Sequence, residues 1–246
     1  MKQEQLAIWM SQPNFSFVEI AYACGFRSIV IDIEHGTFDL EGLDRFLAFT
    51  KIKGISVLAK VLAPTTEAIQ QALDFGADAV ILPHLLGVEH AREVTASAKY
   101  PPMGIRSYFG GRPVNYSRPT SSFFESENRR VRCFAMVETR ESLDEIEQIM
   151  ALDTVDGLFP GPSDLALARG RGAYQFTDED RVDLLRCIKA AQAVGKPWVM
   201  PAWTPAERAF AIENRAEQLV VSTQFMTIRT GLNSTLQALK DEAIYG

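Results

Sequence analysis

Apolar residues along the chain gather into short, nearly continuous runs: LAIWMS (6–11), SIVIDIE (28–34), SVLAKV (56–61), AVILPH (79–84), CFAMVE (133–138), GLFPG (157–161), PWVMPA (197–202) and LVVSTQ (219–224). A strand wetted on one face alternates apolar and polar residues, whereas a strand covered on both faces is apolar throughout. Between the runs lie amphipathic stretches, FVEIAYACGF, LEGLDRFLAFTKIKG and TEAIQQALDFGA, that reach Gly25, Gly54 and Gly76, residues suited to helix C-caps. GVEHAREVTASAKY and RVDLLRCIKAAQAVGK have the same character. Eight strand-and-helix units in succession predict an α/β fold, a (β/α)8 TIM barrel, forming one domain over 1–246. A doubly wound open sheet is the rival, weakened by the even spacing and the lack of a GxGxxG motif.

Two segments depart from the rhythm. Residues 100–130, YPPMGIRSYFGGRPVNYSRPTSSFFESENRR, lengthen one interval to about twice the usual with a run rich in Gly, Pro, Arg and Ser, the kind of long loop that carries function or orders on assembly. GLNSTLQALKDEAIYG reads as a further helix, about 230–244, beyond the eighth strand.

Composition narrows the classes. The chain is 47% hydrophobic and 23% charged with a formal net charge of −6, so no general basic field exists to attract nucleic acid. Three cysteines without a CxxC pair suit buried thiols in a reducing compartment. The first residues lack the apolar core of a signal peptide and no run reaches membrane-spanning length, so a cytoplasmic location is expected, with no membrane partner.

The chemistry collects where the runs end. In barrels of this kind the active site lies at the C-terminal ends of the strands. There stand Glu34 and His35, Lys60, His84, Glu138, Pro162-Ser163-Asp164, and Trp203-Thr204. Carboxylates converging on one mouth repel one another unless a cation lies between them. Without a thiolate or histidine cluster, a hard divalent ion such as Mg2+ or Mn2+, or Co2+, fits. Glu138 alone would also serve as a helix cap, and Asp164 in GPSD as a turn or N-cap residue. The two together, 26 positions apart and so about one unit apart, favour a metal site. His35 stands between a packed histidine and a base; His84 and His90 are read as structural, and Cys133 as core.

IDIEHGTFD (31–39), YPPMGIRS (100–107), MVET (136–139) and LFPGPSDLA (158–166) resemble the HpcH/HpaI aldolase family, the metal-dependent class II pyruvate aldolases, with matching intervals from about residue 6 to about 230. The resemblance implies a barrel with its C-terminal helix swapped between subunits, in a homo-oligomer built as a hexamer, a trimer of dimers. It implies metal ligands at Glu138 and Asp164, an acid and a histidine base at Glu34 and His35, and a carboxylate partner for that histidine at Asp74. It also implies that a 2-oxoacid carboxylate is held by backbone N–H groups of Gly161, Ser163 and Asp164. Two positions depart from the family pattern. Its catalytic arginine falls on Lys60, which keeps the charge but loses the planar fork, and the glutamine usual before VET is Met136.

The leading expectation is therefore a divalent-metal-dependent carbon–carbon lyase that cleaves or forms 4-hydroxy-2-oxoacids through a pyruvate enolate. Some relatives in siderophore pathways look like citrate synthases, and condensation of oxaloacetate with acetyl-CoA is the alternative; Arg106, Arg112 and Arg118 are compatible with such a polycarboxylate or CoA partner. A Schiff-base role for Lys60 would leave the carboxylates unexplained. A catalytically impaired 2-oxoacid-binding relative would bind metal without turnover.

Overall fold

The computed structural model describes residues 1–244. All eight expected strands form: β1 (Leu6–Met10), β2 (Ser28–Asp32), β3 (Ser56–Lys60), β4 (Ala79–Leu82), β5 (Arg132–Val137), β6 (Gly157–Pro160), β7 (Val199–Pro201) and β8 (Gln218–Thr223). Every pairing is parallel, in the order β6-β5-β4-β3-β2-β1-β8-β7. A bridge from Leu158 to Trp198 joins the two outer strands and completes the (β/α)8 barrel.

Among the described residues the helices are α1 (Phe15–Ala23), α2 (Leu40–Lys53), α3 (Thr66–Phe75), α4 (Val88–Ala96), α5 (Phe123–Arg130), α6 (Arg140–Asp144), α7 (Ile146–Met150), α8 (Pro162–Ala168), α9 (Asp178–Ala193), α10 (Pro205–Glu213) and α11 (Gln224–Asp241). Gly54 and Gly76 end α2 and α3 in the left-handed region, at φ 72° and 116°, where a side chain would be strained. None of the described helices is long and apolar enough to cross a membrane.

The strands are apolar throughout because each is covered twice. Ile29, Ile31, Val57, Ala59, Cys133 and Ala135 point outward into the layer shared with the helices. Val30, Leu58, Ile81, Phe134, Phe159 and Val220 point inward and fill the barrel. The tail differs from expectation in its start: α11 follows directly from β8 and is the barrel's eighth helix, not an addition beyond it. Only Gln224 of α11 is buried.

Candidate active site

A strand's side chains alternate between its two faces, so the inward set can be followed past the strand ends. On β2 the series from Val30 reaches Asp32 and then Glu34. On β3, Leu58 is followed by Lys60, and on β5, Phe134 and Met136 are followed by Glu138. On β6, Phe159 is followed by Gly161. Parallel register sets Asp32 directly beside Lys60. Asp32, Lys60 and Gly161 of this set line a cavity of about 190 Å3 at the C-terminal mouth. Its walls include Trp9, Asp32, His35, Lys60, Met136 and Phe159, with Ser163, Asp164 and Trp203 at the rim.

The charges are interlocked. Lys60, buried to 3% exposure, forms an ion pair with Glu34 and lies 3.8 Å from Asp32. Asp32 in turn accepts from Trp9 Nε1 at 3.3 Å and from the His35 backbone N–H at 3.1 Å. Glu34 Oε1 meets His84 Nε2 at 2.5 Å, and the His84 backbone N–H donates to Glu138 Oε1 at 2.7 Å. Burial by itself would raise the Glu34 carboxyl, but its contacts with Lys60 and His84 outweigh that and hold it below its usual value. For Glu138 burial prevails: its carboxyl is pushed up, Asp164 adds to the rise, and the His84 N–H and the Lys60 charge oppose it.

The other oxygen, Glu138 Oε2, is buried without a hydrogen-bond partner. A buried carboxylate oxygen without a partner costs free energy. Across from it is Gly161, where an added Cβ would come within 2.8 Å of both Glu138 Oε2 and Met136 Cε. An orphaned carboxylate oxygen and a second carboxylate at Asp164 fit a hard divalent cation, and Gly161, bare of a side chain, lets Glu138 pack close against the turn into α8. Among the described residues no group of three or more His, Cys, Asp or Glu forms a complete metal cage, so such an ion would keep positions for water or substrate oxygens.

The site residues expected from the sequence divide into those brought together and those not. Glu34, His35, Lys60, Glu138, Ser163 and Asp164 meet at the mouth, His35 as an exposed side chain 3.6 Å from Glu34. Gly161 is there as well, but its N–H already donates to Val137 at 2.9 Å, so it is not a free anion donor; what it contributes is its missing side chain. Asp74 and Arg106 lie elsewhere. A barrel helix runs antiparallel to the strand before it, and Asp74, in the last turn of α3, is carried to the opposite end of the barrel. There it accepts from Arg106 Nη2 at 2.8 Å, and burial pushes its carboxyl up despite the guanidinium. Arg106 has no exposed side-chain surface; it lies over the Tyr100 ring at 4.7 Å and 3.7 Å from Glu127. Within one chain neither reaches His35 or the cavity.

Asp32 was not anticipated, though it was legible by parity, two positions before Glu34 in an apolar strand. His84 was placed among the strand-end groups but read as structural, and here its ring and N–H contact Glu34 and Glu138. A larger hollow of about 510 Å3 opens at the opposite end, but its charges answer one another: Arg130 pairs with Asp78 at 3.2 Å and Arg132 with Glu217.

The chain is similar to a 5-keto-4-deoxy-D-glucarate aldolase of Escherichia coli O157:H7, at 27% identity over 97% of this chain and 93% of the other. It is also similar to a 2-dehydro-3,6-dideoxy-6-sulfogluconate aldolase of Pseudomonas putida, at 26% identity over 96% and 92% of the two chains. Among solved structures it shares the fold of the citrate synthase SbnG, with a TM-score of 0.88 at 22% identity, covering 99% of this chain and 96% of that one. Residues 5–217, from β1 through α10, match the HpcH/HpaI aldolase/citrate lyase family. The chain belongs to that family, and is an enzyme of its aldolase and lyase class.

Proposed function

We propose that the protein is a divalent-cation-dependent aldolase that cleaves 4-hydroxy-2-oxoacids into a pyruvate-type fragment and an aldehyde. The observation that carries the reading is the buried, unpartnered Glu138 Oε2, with the Asp164 carboxylate near enough to act on it. Glu138 and Asp164 would hold the ion, of the Mg2+, Mn2+ or Co2+ kind; when bound, it supplies positive charge to the substrate's carboxylate and 2-oxo oxygens.

The chain's own groups do the rest. The first-turn N–H groups of Ser163 and Asp164 have no helical carbonyl before them and can donate to the 2-oxoacid carboxylate. Lys60, held by Glu34 and Asp32, places an ammonium beside the carbonyl that becomes an enolate. His35, at the rim, accepts the proton of the 4-hydroxyl. As that proton leaves, the bond between carbons 3 and 4 breaks. Its electron pair passes into the 2-oxo fragment as an enolate, carbon 4 departs as the aldehyde, and the proton returns to carbon 3. Lys60, although buried, has the surroundings of a fixed charge, paired on two sides by carboxylates.

Both aldolase relatives are named for sugar-acid substrates with an oxo group next to a deoxy carbon, which supports cleavage. The likeness to a citrate synthase is one of fold. Phe225, Ile228 and Leu232, exposed at helical spacing on α11, support a homo-oligomer, as a hexamer with that helix exchanged between subunits. Three free thiols fit a reducing cytoplasm.

Calorimetry with Mn2+ tests the assignment. Glu138→Ala and Asp164→Ala should each lose tight binding while keeping the far-ultraviolet spectrum of the barrel. Parental affinity in either variant would remove that residue from the site.

A further inference from the structure

His84 stands just past β4, after Pro83, with φ at 54°. A histidine rarely adopts this left-handed backbone, and such strain persists only where the surroundings impose it. Here they do so at three successive points. The Leu85 carbonyl accepts from Thr139 Oγ1 at 2.6 Å, the Leu86 N–H donates to His90 Nδ1 at 3.1 Å, and the Val88 N–H donates to Glu145 Oε2 at 2.6 Å. The segment after β4 is thereby clamped to the segment after β5.

The strained conformation aims two groups of one residue at two different carboxylates. The backbone N–H meets Glu138 Oε1 at 2.7 Å, and ring Nε2 meets Glu34 Oε1 at 2.5 Å, with ring Nδ1 3.4 Å from Glu138 Oε1. Glu34 uses its other oxygen for Lys60. A continuous chain of contacts therefore runs from Lys60 through Glu34 and His84 to Glu138. One oxygen of Glu138 is spoken for, and Oε2 is left free. About half of the His84 side chain is exposed, at 51%, so the ring can be approached from solvent.

We infer that His84 is a positioning residue of this site: its N–H fixes the rotation of Glu138, and its ring fixes Glu34 and through it the Lys60 ammonium. The inference rests on the aldolase function proposed above. It assigns the two halves of the residue to different tasks, the backbone to cation binding and the ring to the charge beside the substrate carbonyl.

Two variants separate them. Glycine adopts the left-handed backbone freely, so His84→Gly keeps the N–H on Glu138 and loses only the ring. His84→Gln restores an N–H near the position of ring Nε2. Two quantities are measured on the full-length protein: Mn2+ affinity by calorimetry, and Mn2+-dependent exchange of the pyruvate methyl protons with deuterated water by mass spectrometry. In His84→Gly the Mn2+ affinity should be nearly unchanged, while the maximal exchange rate falls about 10- to 100-fold, the usual range for losing a group that orients an active-site residue. The pyruvate concentration for half-maximal rate should change little. Added imidazole, or the Gln variant, should recover part of the rate.

Undiminished exchange in His84→Gly would overturn the inference, as would Mn2+ affinity falling in parallel with the rate. A parent enzyme with no metal-dependent exchange would overturn the proposed function and this role together. An active parent with an equally active His84→Gly would overturn this role alone.

Discussion

Lys60 occupies a position where a cation is surrounded by carboxylates, and its removal leaves Glu34 and Asp32 without their counter-charge. Breaking a buried pair by deleting one partner costs about 3–5 kcal/mol, so Lys60→Met should unfold at lower urea concentration than the parent at pH 7. The sign of the pH dependence follows from Glu34. Its carboxyl is lowered in the fold, so its contribution is complete above the unfolded value of about 4.3 and disappears as pH falls through the lower folded value. The gap between parent and variant should therefore narrow in acid; an equal gap in neutral and acid urea titrations would refute the pairing. The thiols make a second test at this scale. Burial pushes Cys187 up to about 12 and Cys133 higher still, whereas Cys24 is exposed. Native protein should yield one fast-reacting thiol to a disulfide reagent and three after unfolding; two fast native thiols would contradict the packing of α9 or β5.

At the scale of elements, the turn from β6 into α8 decides how the carboxylates meet. Glu138 and Met136 pack directly against Gly161, so Gly161→Ala would force one of them to move. It should weaken Mn2+ binding about 10- to 100-fold, as loss of supporting geometry does; unchanged affinity by calorimetry would show that this close fit does not position Glu138 for the ion. The strands and most barrel helices were readable because both faces of each strand are buried and each helix turns one face to the sheet. The segment 100–130 was not. Its helix α5 is too charged to show an apolar stripe and is held by specific partners: Asn128 exchanges hydrogen bonds with Tyr100 through its side chain. Contacts of that sort link residues 28 positions apart and leave no local period. For the same reason Arg106, in a loop of uncertain course, was expected at the substrate and is found buried against Asp74. Asp74 itself was assigned by resemblance, and only the direction of α3 reveals which end of the barrel it occupies.

The whole molecule carries a net charge of −6 and presents one helix, α11, whose apolar residues Phe225, Ile228 and Leu232 are exposed on a single chain. Burying them against another copy would remove that surface from water. Light scattering at micromolar concentration should give a mass above that of a dimer, and Leu232→Glu should lower it; a monomeric parent would contradict the assembly. The proposed function is chemical: a cation held by Glu138 and Asp164 would enable this barrel to cleave a 4-hydroxy-2-oxoacid. The most direct measurement follows pyruvate release from such an acid by coupled reduction to lactate, in metal-stripped enzyme before and after Mn2+ is returned. Pyruvate release should cease after stripping, return when Mn2+ is added to the parent, and stay absent in Glu138→Ala. Release that persists undiminished in the stripped enzyme, or that Mn2+ restores equally to Glu138→Ala, would contradict the proposed function.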